Sequence, residues 1–520
     1  MFGNSARRQP QRTQRGLTVS RPAPVGGWNA RDALANMAAT DAVSMINWWP
    51  TPSFVQVRQG YTNFATGFPA AVETVAAYQG ATPKIFGASG GNIYDATAGG
   101  AIGAAVVSGL SNNRWQYFNY TTTGGVRYLL MFNGTDKPQY WNGAAWIAVD
   151  AVSAPAITGL TTTEIIGGTA HKSRIWLIRK NTLELYYLPV GGVGGAVSLY
   201  DLRPIFKRGG KILACETWSA DAGNGLDDHL VIATDQGEVA VYQGSDPTSA
   251  ATWSLVGVYY LGGSVIGNRP FCRFGGDLLV ISQFGLVPMS SLLQSMVINV
   301  AKTVTDKIQN QISTSISAAA STFGWQVTSW QPENMLFINV PITSTTFEQY
   351  AMNSITGAWA RFQNMNASCW EVYNDLLYFG GSTVIAKAWN GYDDNGANIV
   401  TDLKTAFDYL DRPGELKQWV MCRPIIYSDG VPGASYGLNL DYDDSDVVST
   451  PSFSPTTGSL WDSAVWDTAT WGGGSLAIQK TWQYLSGLGY AGAFRLKTSS
   501  KGITVQLAAI DYLFEPGGVL

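Results

Sequence analysis

This 520-residue chain is short of charge: Asp, Glu, Lys and Arg make up 13% of it, against about 25% in an ordinary soluble domain. The net charge is −4, so no overall basic surface exists to hold nucleic acid by bulk attraction. Histidine is scarcer still, with only His171 and His229. The four cysteines, Cys215, Cys272, Cys369 and Cys422, include no C-x-x-C pair. These two scarcities argue against the usual His/Cys metal centre and against a disulfide framework, leaving buried free thiols as the expectation. Long apolar runs are also missing. The longest, Ala101 to Leu110, is rich in Gly and Ala and too short to cross a bilayer. Arg7 and Arg8 have no apolar segment behind them, so no secretory signal is expected, and no G-x-x-x-x-G-K-[ST] loop marks an NTP motor.

Glycine (58 residues) and aromatic residues (12%) fill that space, the mixture expected where short strands alternate with tight turns. One figure recurs seven times: a short apolar run, a turn of Gly, Asn, Asp or Ser, and a second aromatic or aliphatic run. It occupies Lys84 to Tyr94, Tyr128 to Trp141, Arg174 to Tyr187, His229 to Tyr242, Asp277 to Pro288, Met335 to Ala351 and Asp375 to Trp389. The leading apolar residues stand at 85, 129, 175, 230, 278, 336 and 376, giving steps of 44, 46, 55, 48, 58 and 40. Periods of about 40 to 50 residues built from short strands predict propeller blades. The expected fold is all-β: a β-propeller of six to seven blades over 76–400, with the two longest steps marking insertions.

Around it, 1–25 reads as a basic flexible arm carrying Arg7, Arg8, Arg12, Arg15 and Arg21 with no acidic residue, either solvated or docked on a partner subunit or phosphate track. Residues 26–75 read as a docking segment with a strand, and 401–520 as a separate β-sandwich-like domain. Val304, Ile308, Ile312 and Ile316 recur every four residues, predicting an amphipathic helix over 302–320. Its apolar face needs cover, from its own propeller or from a neighbouring subunit.

Catalytic motifs are thin. Gly87-Ala88-Ser89-Gly90-Gly91 matches G-x-S-x-G, but it sits between two short strands rather than before a helix, so a β-turn is expected. A propeller glycosidase needs converging carboxylates. Asp227, Asp228, Asp393, Asp394 and Glu238 qualify by type and read more simply as polar turns. Asp441, Asp443, Asp444 and Asp446 could attract a hard cation, yet Asp446 and Ser452 stand where an EF-hand needs Gly and Glu. Neither catalytic nor cofactor-binding residues are expected, and these four remain weak metal candidates beside a solvated acidic turn. Trp461, Trp466 and Trp471, spaced by five, suit neither a strand nor a helix face. They are candidates for subunit packing or for stacking on a ligand.

Three stretches carry a resemblance. Gly26-Gly27-Trp28-Asn29-Ala30-Arg31-Asp32, with Met37, Ala42, Asn47, Pro50 and Val57-Arg58-Gln59-Gly60-Tyr61, resembles the opening of the tail tube or nozzle proteins of short-tailed bacteriophages. Phe323-Gly324-Trp325-Gln326, Pro332-Glu333-Asn334-Met335 and Asn339-Val340-Pro341 look like a linker of that family. Gly487-Leu488-Gly489-Tyr490, Phe494-Arg495-Leu496-Lys497 and Asp511 to Gly518 look like its C-terminal domain. The resemblance implies a virion tail protein that forms a ring, usually sixfold, below the portal and adaptor, with tail fibres or tailspikes nearby and genomic DNA passing through its axis. On that view Arg7, Arg8, Arg12, Arg15, Arg21, Ile308, Ile312, Ile316, Trp461, Trp466 and Trp471 are subunit-contact candidates. Alternative readings are a glycan- or receptor-binding tail propeller and, behind it, a propeller glycoside hydrolase.

Overall fold

The computed structural model describes residues 16–221, 226–294, 299–447 and 477–517. They divide into two compact units, one of residues 58–397 and one that joins 1–57 to 398–520.

Among the described residues the larger unit holds seven successive groups of antiparallel strands, beside a short parallel pair of Ile157–Thr158 with Gly195–Ala196. The seven recurrent figures are the second and third strands of these sheets, such as Lys84–Ser89 with Asn92–Asp95 and Arg174–Arg179 with Glu184–Tyr187. Each figure is preceded by a first strand: Thr74–Tyr78, Gln116–Thr121, Ile165–His171, Ile212–Asp221, Phe271–Phe274, Gln326–Trp330 and Cys369–Tyr373. Neighbouring sheets approach one another in chain order, through these first strands from the second blade to the seventh and back to the first, and through Thr74–Tyr78 against Arg127–Phe132 between the first and second. The blades therefore number seven. Their cores lie between neighbours: Leu130, Phe132 and Tyr140 of the second blade pack with Ile175, Leu177 and Tyr186 of the third. Apolar runs that fill both faces of a sheet are what such stacking needs.

The circuit closes on a strand from the start of the unit. Tyr61–Thr66 pairs antiparallel with Val384–Ala388, so the seventh blade is completed by residues far earlier in the chain. Arg58 and Asp394 lock this seam: Arg58 Nη1 and Nη2 donate to Asp394 Oδ1 and Oδ2, each at 2.8 Å, and both side chains are buried. Gly60 has to be glycine there, because a Cβ would lie 1.7 Å from the Asp393 carbonyl oxygen.

The smaller unit has two sheets. In one, Lys417–Ser428 pairs with Val505–Pro516, which also takes Leu17–Pro22 (Leu17 opposite Phe514, Pro22 opposite Ala509) and, through Gln506 and Leu507, Val55–Val57. In the other, Asp41–Ile46, Ile399–Thr405, Gly492–Ser500 and Gly433–Leu440 pair in that order. Trp419, Cys422, Ile426 and Phe514 of the first sheet and Tyr436, Phe494 and Leu496 of the second are buried.

Several expectations change. Arg21 is no part of a flexible arm: it lies in the strand Leu17–Pro22, where its Nε donates to Asp408 Oδ2 at 2.5 Å and its Nη2 to Asp411 Oδ2 at 2.9 Å. The stretch 26–75 is no single segment, since 26–57 folds with the C-terminal strands and 58–75 with the propeller. The residues likened to a linker form the sixth blade, with strands Gln326–Trp330 and Met335–Pro341. The helix is shorter than 302–320, an α-helix Gln309–Ala319 preceded by 3-10 turns. Ile308, Ile312 and Ile316 are buried on their own unit, where Tyr350 Oη meets Ser315 Oγ at 2.8 Å and Trp325 Nε1 donates to the Ala319 carbonyl at 2.8 Å. They are core residues, unavailable to a neighbouring subunit.

Candidate functional site at the propeller axis

The first strands of a propeller line its axis, so polar side chains near their starts converge although they are far apart in sequence. Arg269 stands two residues before the strand Phe271–Phe274 of the fifth blade. Its Nη2 donates to Thr74 Oγ1 (3.0 Å) and to the Trp115 carbonyl (2.7 Å), and its Nη1 to Gln326 Oε1 (3.4 Å). One guanidinium therefore reaches from the fifth blade to the first and the sixth, and to the entry of the second. Its carbon lies 5.6 Å from the centre of the Tyr117 ring, within cation–π range.

Tyr117, on the first strand of the second blade, donates its hydroxyl to Glu371 Oε2 on the first strand of the seventh. Loss of solvent pushes the Glu371 carboxyl up to about 7, against the opposing pull of the Tyr117 hydrogen bond and the Arg269 charge. Burial, and then the Glu371 charge, raise the Tyr117 phenol well above its ordinary value. Arg273 Nη2 donates to Glu216 Oε1 at 2.6 Å, tying the fifth blade to the fourth.

Two cavities meet at Arg269. One, of 510 Å³, is lined by Arg114, Lys211 and Asp235 among others; the other, of 210 Å³, reaches Tyr117, Cys215 and Glu216. Gln116, Leu213, Asn268 and Arg269 border both. The arrangement offers charge-assisted hydrogen bonds to a polar guest.

The residues singled out by sequence lie elsewhere. Ser89 is buried, exchanging hydrogen bonds with the Ala70 backbone through Oγ, and Gly90 and Gly91 form the hairpin turn with φ of 59° and 74°. Two such positive values in succession favour glycine, and the motif is a turn. Asp228 pairs with Lys172 at 2.7 Å, Glu238 accepts from the Lys207 and Arg208 backbone N–H groups, Asp393 accepts from Gly396 N, and Asp394 holds Arg58. Each is occupied locally. The Asp227 side chain lies outside the described residues.

Asp441, Asp443, Asp444 and Asp446 are drawn outward by different partners rather than towards one point. Asp441 Oδ1 accepts from the Tyr490 and Ala491 N–H groups, Asp443 from Ser445, Asp444 pairs with Lys404 at 2.9 Å, and Asp446 with Lys497. No group of three potential metal ligands occurs among the described residues. His171 bridges Thr217 Oγ1 (2.9 Å) and the Gly244 carbonyl (3.2 Å), and burial pushes its imidazole down to about 4. Arg7, Arg8, Arg12, Arg15, Trp461, Trp466 and Trp471 lie outside the described residues.

Sequence reasoning missed Arg269, Tyr117 and Glu371. The one available signal was position: Arg269 comes just before a first strand and Tyr117 and Glu371 lie on two others. Those strands were themselves not read from the sequence.

The strand pairing defines an all-β protein with a propeller of seven blades. No protein-family model matches the chain, and no curated protein matches it. Among solved structures it is similar to the extracellular domain of the two component system protein BT4673 from B. thetaiotaomicron, at 13% identity and a TM-score of 0.40, over 66% of this chain and 41% of that one. The chain thus spans less than half the length of that structure. It is also similar to the β-propeller domain of Cps50 (Swd1) from Myceliophteria thermophila, at 12% identity and a TM-score of 0.39, over 63% of this chain and 98% of that one. YCF48 bound to the D1 peptide matches at 9% identity and a TM-score of 0.36, over 68% and 98%. Likenesses this distant carry no argument about function, and the blade count rests on the strands themselves.

Proposed function

We propose that this chain is a structural subunit of the tail nozzle of a short-tailed bacteriophage. Copies form a ring, hexameric by the family resemblance, that closes the tail below the adaptor and portal and conducts genomic DNA into the host. The observation that carries this reading is the union of the chain ends. The opening stretch up to Val57 and the closing stretch from Gly487, which bear the resemblance, fold into one β unit with the propeller inserted between them. A chain that folds into two β units has chemically different surfaces to offer, and a heterologous ring closes only on two different complementary patches.

Side chains from several blades cross the axis of the propeller, with Arg269 at their centre. A conduit for duplex DNA therefore has to be formed between copies. Scarce charge and a net of −4 suit such a conduit, because clustered Lys and Arg would hold phosphates and slow passage. The test is electron microscopy of the purified protein and of antibody-labelled virions. Rings in the first and label at the tail tip in the second are expected; a monomer with no tail label would sink the reading.

A further inference from the structure

The 510 Å³ axial cavity runs against the charge of the chain as a whole. Arg114, Lys211 and Arg269 line it against Asp235, in a protein with a net charge of −4. Arg114 is spoken for: its Nη2 pairs with Glu73 Oε1 at 2.9 Å and its guanidinium lies 4.4 Å from the centre of the Phe323 ring. The other two cations, Lys211 and Arg269, make no ion pair among the described residues; Lys211 Nζ reaches only Asn181 Oδ1, at 3.4 Å. Arg269 uses three of its five N–H donors on Thr74, Trp115 and Gln326, which leaves two over. The side-chain amides of Gln116 and Asn268, which border the same space, make no hydrogen bond within the protein among the described residues.

Arg269 acts on the Glu371 carboxyl through space but makes no ion pair with it, so an oxygen anion placed against the partly buried guanidinium gains charge-assisted hydrogen bonds on donors that are still free. Guanidinium donors match the paired oxygens of a phosphate or carboxylate, and neutral amides add donors at its flank. We propose that this cavity is a binding site for a small oxyanion, a phosphate or carboxylate group, seated between Arg269 and Lys211 with Gln116 and Asn268 donating to it. The site belongs to a single propeller, so it stands independently of the tail reading and of ring formation.

Isothermal titration of the full chain at constant ionic strength tests this, with inorganic phosphate in one arm and succinate in the other. Saturable one-to-one binding is expected in at least one arm. Phosphate alone binding assigns the site to phosphate-bearing ligands, succinate alone to carboxylates, and both to oxyanions in general. Lys211→Gln, at a partly exposed position, should weaken binding about tenfold, and Asn268→Ala a few-fold. Arg269→Gln should abolish it, with circular dichroism as the check on folding. No saturable binding in either arm would overturn the proposal. So would unchanged affinity in Lys211→Gln and Asn268→Ala together, because the anion would then be held elsewhere.

Discussion

Glu371 shows what convergence does to a single residue. In sequence it is one polar position in Cys369-Trp370-Glu371-Val372-Tyr373, an ordinary alternating strand with no motif around it. In the fold it lies at the axis beneath the Tyr117 hydroxyl, and loss of solvent lifts its carboxyl from an ordinary 4.5 to about 7. The folded protein therefore holds this proton to a higher pH than the unfolded chain does. The stability linked to Glu371 is complete below about 4.5, is lost as pH rises towards 7, and is flat above that. Glu371→Gln keeps a neutral acceptor for Tyr117 and removes the titration. Denaturant midpoints at pH 5 and pH 8 should show the variant more stable than the parent at pH 8, by about 1–3 kcal/mol, with little difference at pH 5. An equal effect at both pH values would refute the assignment. By contrast Ser89 was legible from its neighbours, because Gly90 and Gly91 announce a tight turn that needs no distant partner.

At the scale of elements, seven hairpins were readable because each is local: an apolar run, a turn and a second run are contiguous, and burial on both faces leaves no polar gap. The first strands were harder. Gln116–Thr121 is mostly half-buried and carries polar residues towards the axis, so it lacks the apolar signature of the strands it precedes. The helix was readable as amphipathic, since the four-residue spacing of Ile308, Ile312 and Ile316 is a property of the sequence. What covers that face is not, and the propeller unit covers it. The closing strand Tyr61–Thr66 was invisible as such, because its partner lies more than 300 residues away. Its stability leans on Arg58, buried with both terminal nitrogens on Asp394. Asp394→Asn leaves that guanidinium buried without its counter-charge, so the thermal transition should fall by the equivalent of about 3–5 kcal/mol. A loss well under 1 kcal/mol, in the range of a surface pair, would mean the seam is held by its backbone ladder alone.

At the scale of the molecule, the propeller unit contains its own closing strand, its own seam ion pair and all seven blades. A chain limited to residues 58–397 should therefore fold alone, giving a β-type circular dichroism spectrum and one cooperative melt. A broad, non-cooperative transition would show that the propeller depends on the other unit. That other unit should not survive as its C-terminal piece, because Leu17–Pro22, Asp41–Ile46 and Val55–Val57 are strands of its sheets. The sequence suggests boundaries near 75 and 400, whereas the compact units divide after residues 57 and 397. The change of composition after Trp389 is a local signal, whereas the return of residues 17–57 to pair with the C-terminal strands is a contact between distant segments.

The all-β class, the recurrence of seven hairpins and the interruption by a helix are legible in the sequence, since each depends on residues within a turn or a strand of one another, and the poverty of charge is read directly from composition. The order of the seven blades, the pairing of residues 17–57 with the C-terminal strands and the meeting of Arg269, Tyr117 and Glu371 emerge only in the folded chain. Those depend on which distant strands share hydrogen bonds or an axis, and strand pairing is set by burial and register across the whole fold.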